Sequence, residues 1–279
     1  MRAILVAASL LLQAVASGDK PALYPHDVAR WVDHPRPSLD EPTARDAWMR
    51  AANRSPHDWH VFLKDGQVCA QLEGEPAELP PPAPDFEIER KDVPLSRGAH
   101  GRSFARVDDG WLVGFNHGEF GAALYWYSSD GKDVAKVSDH QVAGFLETPE
   151  GLLAIEGLAH GGRSSGSLIR VARPEPGKPW QATTVLELPA APRAITRLPD
   201  GKFLITLSDS LVSVNKEFKL HVLLRDRDLA WIYATSSVLA PDGTRLFIGM
   251  RQYVAEYELA TGIIRWLVPD ESFVNTSTR

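Results

Sequence analysis

A short phrase recurs four times along the chain: "VDDGWLVGF", "TPEGLLAIEG", "LPDGKFLITL" and "APDGTRLFIGM". In each, an acidic residue precedes a glycine (Gly110, Gly151, Gly201 and Gly243) and an apolar, strand-like run follows. The spacing of about 40 to 50 residues, with several short strands per unit, is that of propeller blades and leaves no room for a long helix.

The fourth unit shows the layout with least insertion. "IYATSSVLA" reads as the innermost strand, Pro241-Asp242-Gly243 as a turn, "RLFIGM" as the second strand and "YVAEYEL" as the third, with "ATGIIRWL" turning into the outer fourth. The same scheme fits "GRSFARV", "WLVGF", "GAALYWYS" and "GKDVAKV", and again "QVAGFLE", "LLAIEG", "GSLIRVA" and "QATTVLEL". Around Ser208 to Arg225 the second and third strands run almost together through Asp209. In "ALYWYS", alternation sends Tyr125 and Tyr127 to one face and Trp126 to the other. "HVFLKDGQVCAQL" predicts a hairpin about an Asp65-Gly66 turn, two strands of a further blade. The expectation is an all-β propeller of about five blades, with four to seven open, over residues 58–279, preceded by a partly helical N-terminal extension over 18–57. In that extension Asp40 is placed to cap a short helix that Pro42 opens and "TARDAWMRAAN" continues. Residues 75–94 are too rich in proline for a central strand and read as a surface connection.

On these repeats the chain resembles secreted bacterial β-propellers of the broad NHL, WD40-like and SMP-30 (sugar-lactonase-like) type. The resemblance covers roughly residues 58 to 270 and implies the architecture. It also implies, for the SMP-30-like lactonases, a divalent ion held at the propeller axis by Glu, Asn and Asp. The Gly-x-Pro-Asp-Gly phrase of that family is not apparent here.

"MRAILVAASLLLQAVASGDK" has a basic start at Arg2, an apolar core and Ala14 and Ala16 in a small-x-small site, the pattern of a signal peptide over 1–17 and of a periplasmic or secreted protein. No other stretch is long and apolar enough to span a bilayer. Cys69 is the only cysteine, so no internal disulfide can form. With 279 residues, 44% of them hydrophobic, the chain can bury a sizeable core, and a net charge of −6 without a basic patch argues against nucleic acid.

The blade layout gathers the distinctive polar residues on one rim, where second strands turn into third strands and where blades are linked. "VGFNHGEFGAALYWY" puts Asn116, His117 and Glu119 there, and "EGLAHGGRSSG" puts Glu156, His160 and Arg163 beside them. Later connections add Asp209, Arg251 and Gln252, and the links add His100, Arg193, Asp226, Arg227 and Asp228. Three readings stay open. Two histidines and two carboxylates suit zinc, whereas Asn116, Glu119 and Glu156 suit calcium, so the donor types fit a divalent ion without specifying one. His117 or His160 beside Glu119 or Glu156 suits proton transfer. The same groups also suit tying down glycine-rich loops. "GRSSG" matches G-x-S-x-G, but a nucleophile elbow needs a helix after Ser164, and a strand is expected there. Trp231, in a link on this rim, is placed to stack on a sugar. No complete catalytic constellation emerges, so the expected function is exported, non-catalytic binding of a small molecule or protein at the rim. The alternative is a metal-dependent hydrolase of the gluconolactonase-like type.

Overall fold

The computed structural model describes residues 24, 26–75, 82–88 and 101–273. The signal-peptide reading and His100 lie outside them. The chain runs through β1 (Val32–Asp33), α1 (Pro42–Arg54), and a hairpin of β2 (Trp59–Lys64) and β3 (Gln67–Leu72). Four sheets follow. The first comprises β4 (Arg102–Val107), β5 (Gly110–Asn116), β6 (Ala122–Ser128) and β7 (Val134–Ser138), and the second β8 (Val142–Thr148), β9 (Gly151–His160), β10 (Arg163–Ala172) and β11 (Gln181–Leu188). The third comprises β12 (Pro192–Arg197), β13 (Phe203–Leu207), β14 (Ser210–Val214) and β15 (Leu220–Arg225). After the one-turn helix α2 (Leu229–Ile232), β16 (Ser236–Leu239), β17 (Arg245–Gly249), β18 (Val254–Glu258) and β19 (Ile264–Val268) form the fourth.

Every sheet is an antiparallel meander, and its first strand lies beside the first strand of the next: β4 by β8, β8 by β12, β12 by β16, and β16 by β2. This is the side-by-side arrangement of propeller blades. The hairpin contributes two strands only, and no strand pairing among the described residues joins it back to β4. Gly66 and Asp65 both take positive φ, as a two-residue hairpin turn requires. One expectation fails locally: Ile232 belongs to α2, and the inner strand starts four residues later, at Ser236.

Alternation along β6 divides the first sheet into two apolar faces. Tyr125 and Tyr127 pack with Trp111, Val113 and Phe115, whereas Leu124 and Trp126 join Val142, Ala154 and Ile169 of the second sheet. The face without a neighbouring four-stranded sheet is covered by Phe86 and Ile88 from the proline-rich connection, so those residues fill core and do more than cross the surface. Phe86 lies 5.9 Å from the Tyr127 ring and occupies the space that a Cβ at Gly131 would need.

The N-terminal extension is woven into the far end of the chain. β1 pairs antiparallel with β19 and makes a fifth strand of the last sheet, while Ala70 of β3 donates its N–H to His26. Helix α1 starts at Pro42 as expected, but its N-cap is Glu41, whose side chain makes no capping bond. Asp40 is therefore not the cap. The buried face of α1 presents Trp48, stacked on Tyr253 at 4.5 Å and edge-on to Trp266 at 5.2 Å.

Two histidines of this extension sit against aromatic rings, His34 on Tyr253 and His57 against Phe273 and Tyr24. Burial lowers the pKa of both, against the opposing pull of Asp33 and Asp58. Since the folded state resists protonating them, their contribution to stability is complete above the ordinary value of 6.5 and is lost as pH falls below it. The urea midpoint is expected to fall between pH 7.5 and pH 5.5, and less steeply in the His34→Gln, His57→Gln variant. An equal fall in both proteins would locate the pH sensitivity elsewhere.

Candidate functional site

In a four-stranded meander the first-to-second and third-to-fourth turns lie at one end, and the second-to-third turns and outgoing links at the other. The four repeated turns at Gly110, Gly151, Gly201 and Gly243 thus share one face, and residues 116–121, 160–163, 208–209 and 250–253 the opposite rim.

The first of these connections is a tightly tied loop. Asn116 Oδ1 accepts from the Gly118 N–H at 3.2 Å and from Gln141 Nε2 at 3.1 Å, and Gln141 also donates to the Gly118 carbonyl at 2.7 Å. Asn116 thereby joins the loop to the link that enters the second sheet. His117 is only 8% exposed and lies near Phe115, so its ring belongs to the packing of the rim and does not face solvent. Gly121, at φ 119°, lets the chain leave the single 3-10 turn at Gly118–Phe120 and enter β6.

The second connection was expected to be a loop, and it is a strand hairpin. β9 and β10 stay paired to His160 and Arg163, closed by Gly161 and Gly162, both with positive φ. Because β8 is in register only up to Glu156, the hairpin overhangs its own sheet by four residues, about 13 Å at ~3.3 Å per residue. The overhang is held on both flanks. His160 Nε2 lies 2.8 Å from Glu119 Oε2 of the first sheet's loop, and Leu158 approaches Gly118. On the other flank Ser164 Oγ accepts from the Ala191 N–H and shares a hydrogen bond with Ser208 Oγ, each at 2.8 Å. Ser164 therefore sits inside a strand with its hydroxyl engaged. Glu156 lies lower on the sheet, where it accepts from Ser167 Oγ at 2.6 Å.

Asp226, Asp228, Arg251 and Gln252 belong to a second cluster around the N-terminal extension. Arg251 donates to Asp58 at 3.2 Å and to the Asn53 carbonyl at 3.1 Å, with its guanidinium 4.8 Å from the Tyr233 ring. Asp226 and Asp228 are held by Arg36 at 2.6 and 3.0 Å, and Arg45 reaches Asp228 at 2.5 Å. Gln252, fully buried at φ 72°, donates its N–H to His57 and accepts from the Trp59 indole. The structure thus brings Glu119 to His160, with Arg163 across the turn, but it engages Asn116, Glu156 and Arg251 in separate local bonds. Among the described residues no group of three or more His, Cys, Asp or Glu side chains is arranged to hold a metal ion.

Two features of the rim escaped the sequence. Arg36 and Arg45 lie far from Asp226 in sequence, and no local pattern marks the pairing. The other is the exposure of Phe120, at 67%, and Tyr233, at 37%, beside the 57% of Trp231, the one rim aromatic that the sequence did mark; these three are the only aromatic side chains among the large hydrophobics that the described residues leave exposed. All three lie on this rim, Phe120 in the first sheet's loop and the other two in the link between the third and fourth sheets.

No family model and no curated protein matches the chain. Solved structures similar to it include the virginiamycin B lyase of Staphylococcus aureus, at 15% identity over 64% of this chain and 60% of that one, with a TM-score of 0.42. An auxiliary nutrient binding protein of Bacteroides ovatus is 12% identical over 56% of this chain and 38% of that one, with a TM-score of 0.38. A gluconolactonase-like protein is 19% identical over 60% and 67% of the two chains, also with a TM-score of 0.38. The chain spans about three fifths of the length of the lyase it matches. At these identities and scores the likenesses carry no activity to this chain. No helix among the described residues is long and apolar enough to cross a membrane.

Proposed function

We propose that the protein is a non-catalytic binding propeller that receives its ligand on the rim formed by residues 116–121, the β9–β10 overhang and the link 226–235. The five-blade reading, with the β2–β3 hairpin as an incomplete fifth blade, belongs to this proposal, as does action outside the cytoplasm after loss of residues 1–17. The observation that carries it is that the exposed aromatic residues Phe120, Trp231 and Tyr233 all lie in connections at the same end of the sheets. Aromatic rings left in water beside polar groups are the usual composition of a recognition surface, because they offer large contact area at little entropic cost. The hydrolase alternative gains no comparable support, since beyond the Glu119–His160 pair the candidate donors are engaged apart from one another.

The test is a titration of isotopically labelled protein with sugars, organic acids, amino acids and simple lactones, followed by NMR. Shifts should cluster on the rim, and Phe120→Ala or Trp231→Ala should weaken the best ligand about tenfold while leaving the melting temperature within about 2 °C. Shifts confined to the face of the glycine turns, or turnover of a lactone, would refute the reading.

A further inference from the structure

The arginines of the rim are not alike. Arg36 and Arg45 are paired with Asp226 and Asp228, and Arg251 with Asp58, whereas Arg163 and Arg227 are exposed to solvent. Arg193, which follows Pro192 at the rim end of the inner strand β12, is partly buried, and its guanidinium makes no hydrogen bond or ion pair with any described residue. Its one specific neighbour is the Tyr233 ring, whose centroid lies 5.7 Å away. Burial pulls its pKa down, against the weaker opposing pull of Tyr233, the direction expected of a cation partly withdrawn from water without a carboxylate in return. A guanidinium has five donors in a planar fork, and withdrawing it from water is costly unless an acceptor arrives.

Tyr233 is the second half of the feature. It closes α2 in a left-handed conformation, φ 46°, which a bulky residue adopts only when its surroundings enforce it. The backbone there is fixed, since Arg251 N–H binds the Ile232 carbonyl and Thr235 is bonded to Gly249 and Trp59. The result is an aromatic ring held partly in water beside a cation that no protein acceptor satisfies.

We propose that Arg193 is an anion subsite of the rim, taking the carboxylate of a small organic acid on its guanidinium fork while the acid's apolar body lies against Tyr233. This rests on the reading of the rim as a ligand-binding face. A carboxylate is favoured over a phosphate because, of the two guanidinium groups beside the Tyr233 ring, Arg251 is already held by Asp58 and Arg193 alone offers its fork, which a single planar pair of oxygens matches bidentately.

Benzoate, benzamide and inorganic phosphate serve as probes, titrated calorimetrically and by NMR into the full chain and into Arg193→Gln and Arg193→Lys. Benzoate should bind saturably with shifts at Arg193 and Tyr233, about tenfold tighter than benzamide and tighter than phosphate. Arg193→Gln should abolish the preference for benzoate over benzamide, and Arg193→Lys, which keeps the charge but not the fork, should retain part of it. Equal binding of benzoate and benzamide at the rim, or undiminished benzoate binding by Arg193→Gln, would overturn the subsite and leave the rim reading standing. Tighter binding of phosphate would overturn the choice of carboxylate. Absence of every probe from the rim would remove the subsite, while rim binding by the wider ligand panel would still decide the rim reading separately.

Discussion

Trp59→Ala is expected to cost the protein about 3–5 kcal/mol of stability. The side chain is 1% exposed, with Trp31 at 4.6 Å, Phe273 at 5.6 Å and Tyr24 at 5.9 Å. These neighbours come from both ends of the chain, so alanine would leave a cavity among elements that cannot close on it together. Its indole N–H also supplies the bond to the buried Gln252 carbonyl. The urea midpoint should drop sharply while the slope of the transition is unchanged, as expected if the extension and the last sheet unfold as one unit. A loss below about 1 kcal/mol, or a separate early transition, would show the hairpin to be an independent appendage.

The second large effect lies at Arg36. Its guanidinium is held between Asp226 and Asp228 and lies 5.1 Å from the Trp266 ring, and the Asp226 side chain is only 6% exposed. Arg36→Met keeps much of the apolar stem and removes the charge, leaving Asp226 buried without its cation. A destabilisation of about 3 kcal/mol is expected, at the lower end for breaking a buried pair because Arg45 still serves Asp228. Adding Asp226→Asn should recover part of the loss in a double-mutant cycle. If the double variant were no more stable than Arg36→Met alone, the cost would come from packing on Trp266 instead of from the stranded carboxylate.

What could be read in the sequence was what local chemistry dictates. The acid-glycine turns mark where each first strand ends, because a positive-φ position such as Gly201 or Gly243 needs a residue without a side chain. The period of two along β6 assigned its faces for the same reason. The β9–β10 overhang was hidden, because its glycines and serines carry no apolar alternation and its pairing rests on backbone bonds alone. Helix α2 was hidden too, since four residues are too few to show a helical period. At the rim, adjacency of equivalent connections led to the Glu119–His160 contact. The engagement of Arg251 with Asp58 and of Asp226 with Arg36 depends on where the extension docks, which no short-range pattern encodes.

The strand β1 has a bearing on how the molecule is made. Each four-stranded sheet is assembled from residues adjacent in sequence and can form as it leaves the ribosome. Val32 and Asp33 have no such partner: they wait for Val268 and Leu267, and the Asp33 carboxylate waits for the Trp266 N–H, 233 residues further on. Loop closure over that distance is the slowest kind of contact, so the final step of folding should be the capture of the earliest-made strand by the latest-made sheet. Until then the outer edge of β19 stays open to pairing with another chain, which makes the interval after synthesis the period in which this protein is most exposed to aggregation.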